Sequence, residues 1–250
     1  MVRAARQISD SGFYHIMTRG VNKQPIFENS DDYKRFIDIL VVCKQLDDIK
    51  IHAFCLMENH VHFLIEDPES RYTSTLFRRV GGRYVTWFNK KYGRTGPLFQ
   101  DRYKSEAIEN DAYLLSCVRY IIQNPVNAGL CSSPFDYPYS SAKEYIGSNL
   151  GITDTSLILN MVDRNDIVNF LSEKPSMPHI DIEKEKMHLT DNDLRNIMKR
   201  LTNCTTSSDF QKLTKDKRND ALSALRKAGG SIRQISRLTG IGENIVRNCK

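Results

Sequence analysis

The chain has 250 residues, 40% of them hydrophobic, and a net charge of +6. That is enough apolar material for a sizeable core, which excludes a wholly disordered protein, and no apolar run approaches the ~20 residues that span a bilayer. The charge is uneven: +2 over residues 1–150, −3 over 151–189 and +7 over 190–250, so the basic excess that suits a nucleic-acid partner gathers in the last quarter.

The six cysteines, at 43, 55, 117, 131, 204 and 249, include no C-x-x-C pair and read as reduced buried thiols rather than a zinc ribbon. The opening MVRAARQISDSG lacks the apolar core of a signal peptide, so a cytoplasmic protein is expected, with no membrane partner.

In chain order, FYHIMTRG (13–20) reads as a strand ending at Gly20. DDYKRFIDILVVCKQL (31–46) has helical apolar spacing. IHAFCLM (51–57) and HVHFLIE (60–66) form a strand pair around the tight link Glu58-Asn59. A helix spans about 72–92, a further strand lies within 98–109, and NDAYLLSCVRYIIQ (110–123) is a third helix. Asn110 or Asp111 caps that helix and Pro125 is its expected stop.

The order β-α-β-β-α-β-α predicts an α+β fold, a ferredoxin-like split βαβ antiparallel sheet with helices, followed by an all-helical C-terminal region. The expected domains are 1–148, a helical bridge and linker over 149–189, and a helical DNA-binding region over 190–250. The proline- and charge-rich KPSMPHIDIEKEK (174–186) is the linker signal.

His60 and His62 are two apart in a strand, so their rings share a face and could bind one divalent metal. Two protein ligands make an open site, which suits catalysis better than structure. The plainer alternative is a pair of histidines with no ligand, and the residues weigh about evenly between the two.

On the third helix, Tyr113, Cys117, Tyr120 and Asn124 form a stripe apart from the apolar Leu114, Leu115, Val118, Ile121 and Ile122. Tyr120 and Asn124, one turn apart, could bring a phenol and an amide oxygen to one point. Periodicity does not choose between Tyr113 and Tyr120, nor between a nucleophile and an amphipathic boundary tyrosine.

Residues 71–94 hold seven basic residues, six aromatic ones and no acid. Cations for phosphates and rings for bases are what single-stranded nucleic acid requires. Arg78, Arg79, Arg83, Lys90 and Lys91 are the expected phosphate contacts, whereas Phe77, Tyr84 and Phe88 have the spacing of core residues. Near the C-terminus, GGSIRQISRLTGIGENIVRNCK (229–250) fits a helix-turn-helix: Ser231 with Gln234 as capping box, Gly240 as turn, Val246 packing the second helix. Asn244 and Arg247 would then face a DNA groove.

Taken together, FYHIMTRGVNKQPIF, CLMENHVHFLIE, GPLFQDRYKSEAI, RYIIQNPVNAGL and YPYSSAKEY, spread over residues 13–146, resemble the HUH single-tyrosine transposases, most closely the REP-associated tyrosine transposases. The resemblance implies a Mg²⁺ or Mn²⁺ ion on His60 and His62, completed by Asn124, with Tyr120 as nucleophile. It implies cleavage of single-stranded DNA with hairpin ends through a 5′-phosphotyrosine. Arg19 is a candidate DNA contact whose role is open, and a homodimer is compatible with the chemistry. Relatives carry proline where Glu58 stands. A non-cleaving DNA-binding regulator derived from such a transposase, or a hydrolytic metal nuclease, are the alternative functions. His15 is expected near the DNA rather than as a ligand, and His52, His179 and His188 receive no role.

Overall fold

The computed structural model describes residues 7–46, 49–148, 150–175, 177, 179 and 191–249. The remainder includes residues 1–6, Thr190, His188 and most of the expected linker, and expectations that fall there lie outside the described residues. The chain forms two compact units, Met1–Ile180 and Asp181–Lys250.

The first unit follows the expected order: β1 (Phe13–Arg19), α1 (Ser30–Lys44), β2 (Lys50–Met57), β3 (His60–Glu66), α2 (Tyr72–Tyr92), β4 (Lys104–Ile108) and α3 (Asp111–Asn127). The sheet runs β2-β3-β1-β4 and every pairing is antiparallel. This is the split βαβ arrangement: β1 and β3 sit in the middle, and α1 and α2 make the two crossovers.

Strand alternation gives the sheet two buried faces. Tyr14, Ile16, Val61, Phe63 and Ile65 point to one face and form a core with Phe36 and Leu40 of α1 and Leu76, Val80, Tyr84 and Phe88 of α2. Ala53, Cys55 and Leu64 point to the other, against Leu114, Val118, Ile121 and Ile122 of α3. His15 and His62 belong to this second face, because they alternate with the residues of the first. The short helices α4 (Ser156–Met161) and α5 (Ile167–Ser172) pack into the same core through Ile158, Ile167 and Leu171.

Local chemistry explains the element ends. Asn29 and Asp32 form a capping box at the start of α1, and Asn110 caps α3 by accepting from the Tyr113 N–H at 2.9 Å. The expected stop at Pro125 is corrected: Pro125 lies inside α3, which runs on to Asn127. Proline removes one N–H donor, but the buried ring packs with its helix. The chain turns out only at Gly129, whose φ of +71° is the left-handed conformation that ends helices. The Glu58-Asn59 link is held by backbone: the Glu58 carbonyl accepts from the N–H groups of Ile26 (2.8 Å) and Phe27 (3.1 Å), and the Asn59 carbonyl from Gly20 (2.9 Å). The Glu58 side chain itself is exposed. Gly20 itself is required, since a Cβ there would lie 2.2 Å from the Gln24 carbonyl oxygen.

The second unit comprises α6 (Asp191–Thr202), α7 (Ser207–Gln211), α8 (Lys215–Lys227), α9 (Ile232–Thr239) and α10 (Glu243–Asn248). Its core gathers Leu194, Met198, Phe210, Leu222, Leu225, Ile235 and Val246. Ser231 and Gln234 form a reciprocal capping box on α9, which ends at Gly240 with φ +69°. Asn244 and Arg247 are exposed on α10. The Arg226 guanidinium donates to the carbonyls of Arg247 (2.7 Å) and Cys249 (3.0 Å), closing the last turn of this short helix. Among the described residues no helix is long and apolar enough to cross a membrane.

Candidate active site

The two histidines of β3 face α3. Their ring centroids are 5.0 Å apart and nearly perpendicular. The Tyr120 ring lies 5.6 Å from that of His62 and 5.6 Å from that of His15, edge-on to both. Tyr113, the other tyrosine of the stripe, is directed elsewhere. Its hydroxyl donates to Glu106 Oε1 at 2.6 Å, and its ring stacks on His179.

Each imidazole is oriented by a neighbour. His60 Nδ1 meets Asn59 Oδ1 at 2.7 Å, and Asn59 Nδ2 donates to the Lys23 carbonyl at 3.3 Å, which sets the amide with its oxygen toward the ring. An amide oxygen only accepts, so His60 carries its proton on Nδ1 and Nε2 is its basic nitrogen. His62 is fully buried. Its Nδ1 lies 2.9 Å from His15 Nε2, and its Nε2 has no hydrogen-bond partner among the described residues. Burial, with the nearby His60, His15 and His179 rings adding to it, holds the His62 pKa well below the ordinary value, so the ring is neutral. A buried neutral imidazole with an orphaned ring nitrogen fits a metal ligand.

Asn124 lies one turn beyond Tyr120. Its Nδ2 donates to the Tyr120 carbonyl at 2.9 Å, so its remaining polar atom is Oδ1. Arg19 is paired directly with His60 across β1 and β3, placing it on the same face, and its Nε donates to Gln100 Oε1 at 2.7 Å. Lys104 of β4 shares that face, and burial together with the Arg19 charge lowers its pKa.

The basic helix α2 lies across the sheet from these groups, packed on the other face. Arg83 and Lys90 are exposed and line a groove with Arg35 and Trp87 between α1 and α2. Arg78 is exposed beside Phe99 and Tyr103, and Arg79 is half-buried. Lys91 is engaged within the fold: its ammonium lies 2.6 Å from the buried Asp32 carboxylate and over the Trp87 ring.

Three residues at the site drew little notice in the sequence. His15 bonds both His62 and, through Nδ1 at 3.3 Å, the carboxylate of Glu106. Glu106 received no reading at all. His179 packs over α3, with Nε2 3.0 Å from Ser116 Oγ and its ring 5.1 Å from Tyr120. Burial lowers its pKa to about 4. One ligand-capable atom from each of His15, Cys117 and His179 lies within 4.8 Å of the others. Both His15 nitrogens are already engaged, and burial keeps the Cys117 thiol protonated by raising its pKa well above the ordinary value. This group forms the back wall behind the tyrosine.

The split βαβ sheet thus sets the H-x-H pair of β3 beneath the tyrosine-bearing helix α3. Residues 9–124 match the family model described as "Transposase IS200 like". A protein of Haemophilus influenzae, provisionally named a REP-associated tyrosine transposase, is 33% identical over 100 residues, covering 36% of this chain and 56% of that protein. The chain thus matches little more than half of that relative's length. A solved structure titled "Structure of the REP associates tyrosine transposase bound to a REP hairpin" shares the fold, with a TM-score of 0.50 and 20% identity over 62% of this chain and 93% of that one.

Proposed function

We propose that this protein cleaves and rejoins single-stranded DNA at hairpin-flanked sites through a 5′-phosphotyrosine on Tyr120. The observation that carries this reading is the contact between the Tyr120 ring and His62, whose buried Nε2 has no partner of its own. The named relatives support the choice of DNA as substrate.

His60, His62 and the Asn124 oxygen would hold a divalent cation, Mg²⁺ or Mn²⁺, and the neutral His62 imidazole suits that role. Such an ion, when bound, polarises the scissile phosphate and offsets its charge. The remaining work falls to the protein. Tyr120 Oη forms a bond to phosphorus as the bond from phosphorus to the 3′ oxygen breaks. The phenol loses its proton, the leaving oxygen gains one, and the products are a 5′-phosphotyrosine and a free 3′-OH. Attack by another strand's 3′-OH reverses the step, so joining needs no nucleotide cofactor. Arg19, beside His60, would meet the strand being cut, whereas Arg78, Arg83 and Lys90 on the other face would meet flanking DNA. Asn244 and Arg247 of the second unit would supply a further DNA contact.

The test is incubation with labelled hairpin-flanked single-stranded DNA and Mn²⁺, followed by a denaturing gel. A covalent protein–DNA band is the expected result. Free fragments without a band would indicate water as nucleophile, and uncut DNA a binding protein that does not cleave.

A further inference from the structure

A hydrogen-bond chain runs behind His62 across three strands and α3. Tyr113 Oη donates to Glu106 Oε1 at 2.6 Å, Glu106 Oε2 lies 3.3 Å from His15 Nδ1, and His15 Nε2 lies 2.9 Å from His62 Nδ1. The register explains how the links meet. Glu106 pairs directly with His15 across β4 and β1, and His15 reaches diagonally to His62 from its place opposite Leu64. His15 and His62 are both fully buried, and the Glu106 side chain is 24% exposed.

We propose that His15 and Glu106 are positioning residues that fix His62 as a metal ligand, an inference that rests on the metal-site reading above. The direction of the chain follows from its chemistry. An ionised carboxylate only accepts, so His15 carries its proton on Nδ1 and donates it to Glu106. His15 Nε2 then has a lone pair and accepts from His62 Nδ1–H. His62 Nε2 is left with its lone pair directed into the site. The opposite direction would set a His15 lone pair against the carboxylate and leave a His62 Nε2–H buried without an acceptor, the costlier arrangement. Tyr113, by holding the second carboxylate oxygen, stops Glu106 from turning away. His60 is oriented separately by Asn59. The support of His62 reaches the Glu106 carboxylate through His15.

The experiment has two parts. In the metal-free full-length chain, nitrogen-15 NMR of the histidine rings reads the tautomer directly. His62 is expected as the Nδ1–H form, and an Nε2–H form overturns the proposal. Second, Mn²⁺ binding is measured by the electron paramagnetic resonance of the free ion. His15→Leu and Glu106→Leu are expected to weaken binding about 10–100-fold, as loss of an outer-sphere partner does. His15→Gln and Glu106→Gln, which keep an acceptor and a donor, are expected to restore most of it, and Tyr113→Phe to weaken it only a few-fold. Thermal unfolding checks that each variant is folded, and the tautomer measurement stands if a leucine variant is not. If His62→Ala loses Mn²⁺ while His15→Leu and Glu106→Leu bind like the unaltered protein, the positioning role fails and the metal site stands. If the unaltered protein takes up no Mn²⁺, or binds it no better than His62→Ala, the metal reading itself fails.

Discussion

Tyr120 and His62 meet edge to face with their ring centres 5.6 Å apart, although one belongs to a helix and the other to a central strand. On the proposed reading, a phosphate held at the histidine pair would lie near this phenol. Tyr120→Phe is expected to abolish the covalent DNA adduct on a denaturing gel while DNA binding in a mobility-shift assay is unchanged. Tyr113→Phe, whose hydroxyl faces Glu106 instead, is expected to retain the adduct. Adduct formation by the Tyr120→Phe protein would remove Tyr120 from the chemistry.

On the proposed metal reading, loss of either histidine removes a ligand from a site with few. His60→Ala and His62→Ala are each expected to slow cleavage at least about a hundredfold, equivalent to ~3 kcal/mol of transition-state stabilisation. A chelator should abolish cleavage by the unaltered protein, and added Mn²⁺ should restore it. Single-turnover cleavage rates provide the measurement.

Asp32 tests a structural role beneath the basic helix. Its fully buried side chain accepts from Lys91, from the Glu28 and Asn29 N–H groups and from Tyr92. Burial alone would raise its pKa, but these donors together hold it below the ordinary carboxylate value of 3.8. A depressed carboxylate pKa contributes stability that is present above the unfolded value and lost as pH falls through the folded one. Acid unfolding below about pH 4 is expected to be steeper in the unaltered protein than in Asp32→Asn, which cannot ionise. Thermal midpoints compared at pH 7 and pH 3 would show the difference.

His179 has the same sign at a higher pH. Its folded pKa of about 4 lies below the ordinary 6.5, because burial penalises the imidazolium; the His15 ring adds to that effect and Glu106 opposes it. Its contribution to stability is complete above pH 6.5 and is lost as pH falls toward 4. Tyr113, Ser116, His15, Cys117 and Tyr120 surround it. Amide exchange across α3 is expected to accelerate between pH 6.5 and 4 beyond the intrinsic trend, and to do so less in His179→Phe.

The basic residues of α2 divide by partner. Arg83→Ala and Lys90→Ala should each flatten the slope of log K against log salt for single-stranded DNA by about 0.7, one released counterion apiece. Lys91→Ala should leave that slope alone and lower thermal stability instead, because Asp32 already holds its charge. Equal slopes for all four proteins would place the DNA elsewhere.

Much of the fold was readable because its signals are local. Two short apolar runs around the tight Glu58-Asn59 link marked β2 and β3, helical spacing marked α1 to α3, and Asn110 and Ser231 announced helix starts through contacts three residues long. The end of α3 was misread because proline at position 125 weakens a helix without necessarily ending it. Whether the helix continues depends on packing around the buried ring, which no local pattern records.

The candidate site divides along the same line. H-x-H on a strand is a two-residue relation, and Tyr120 with Asn124 is a one-turn relation, so the sequence by itself determined which side chains share a face. Only the tertiary structure decided which faces meet. His15 lies 47 residues from His62 and 91 from Glu106, and His179 lies 63 from Ser116; they touch because the sheet order β2-β3-β1-β4 lays distant strands side by side and the chain returns over α3. Hydrogen bonds reach about 3 Å in space whatever the separation along the chain, and the spacing of residues cannot encode that.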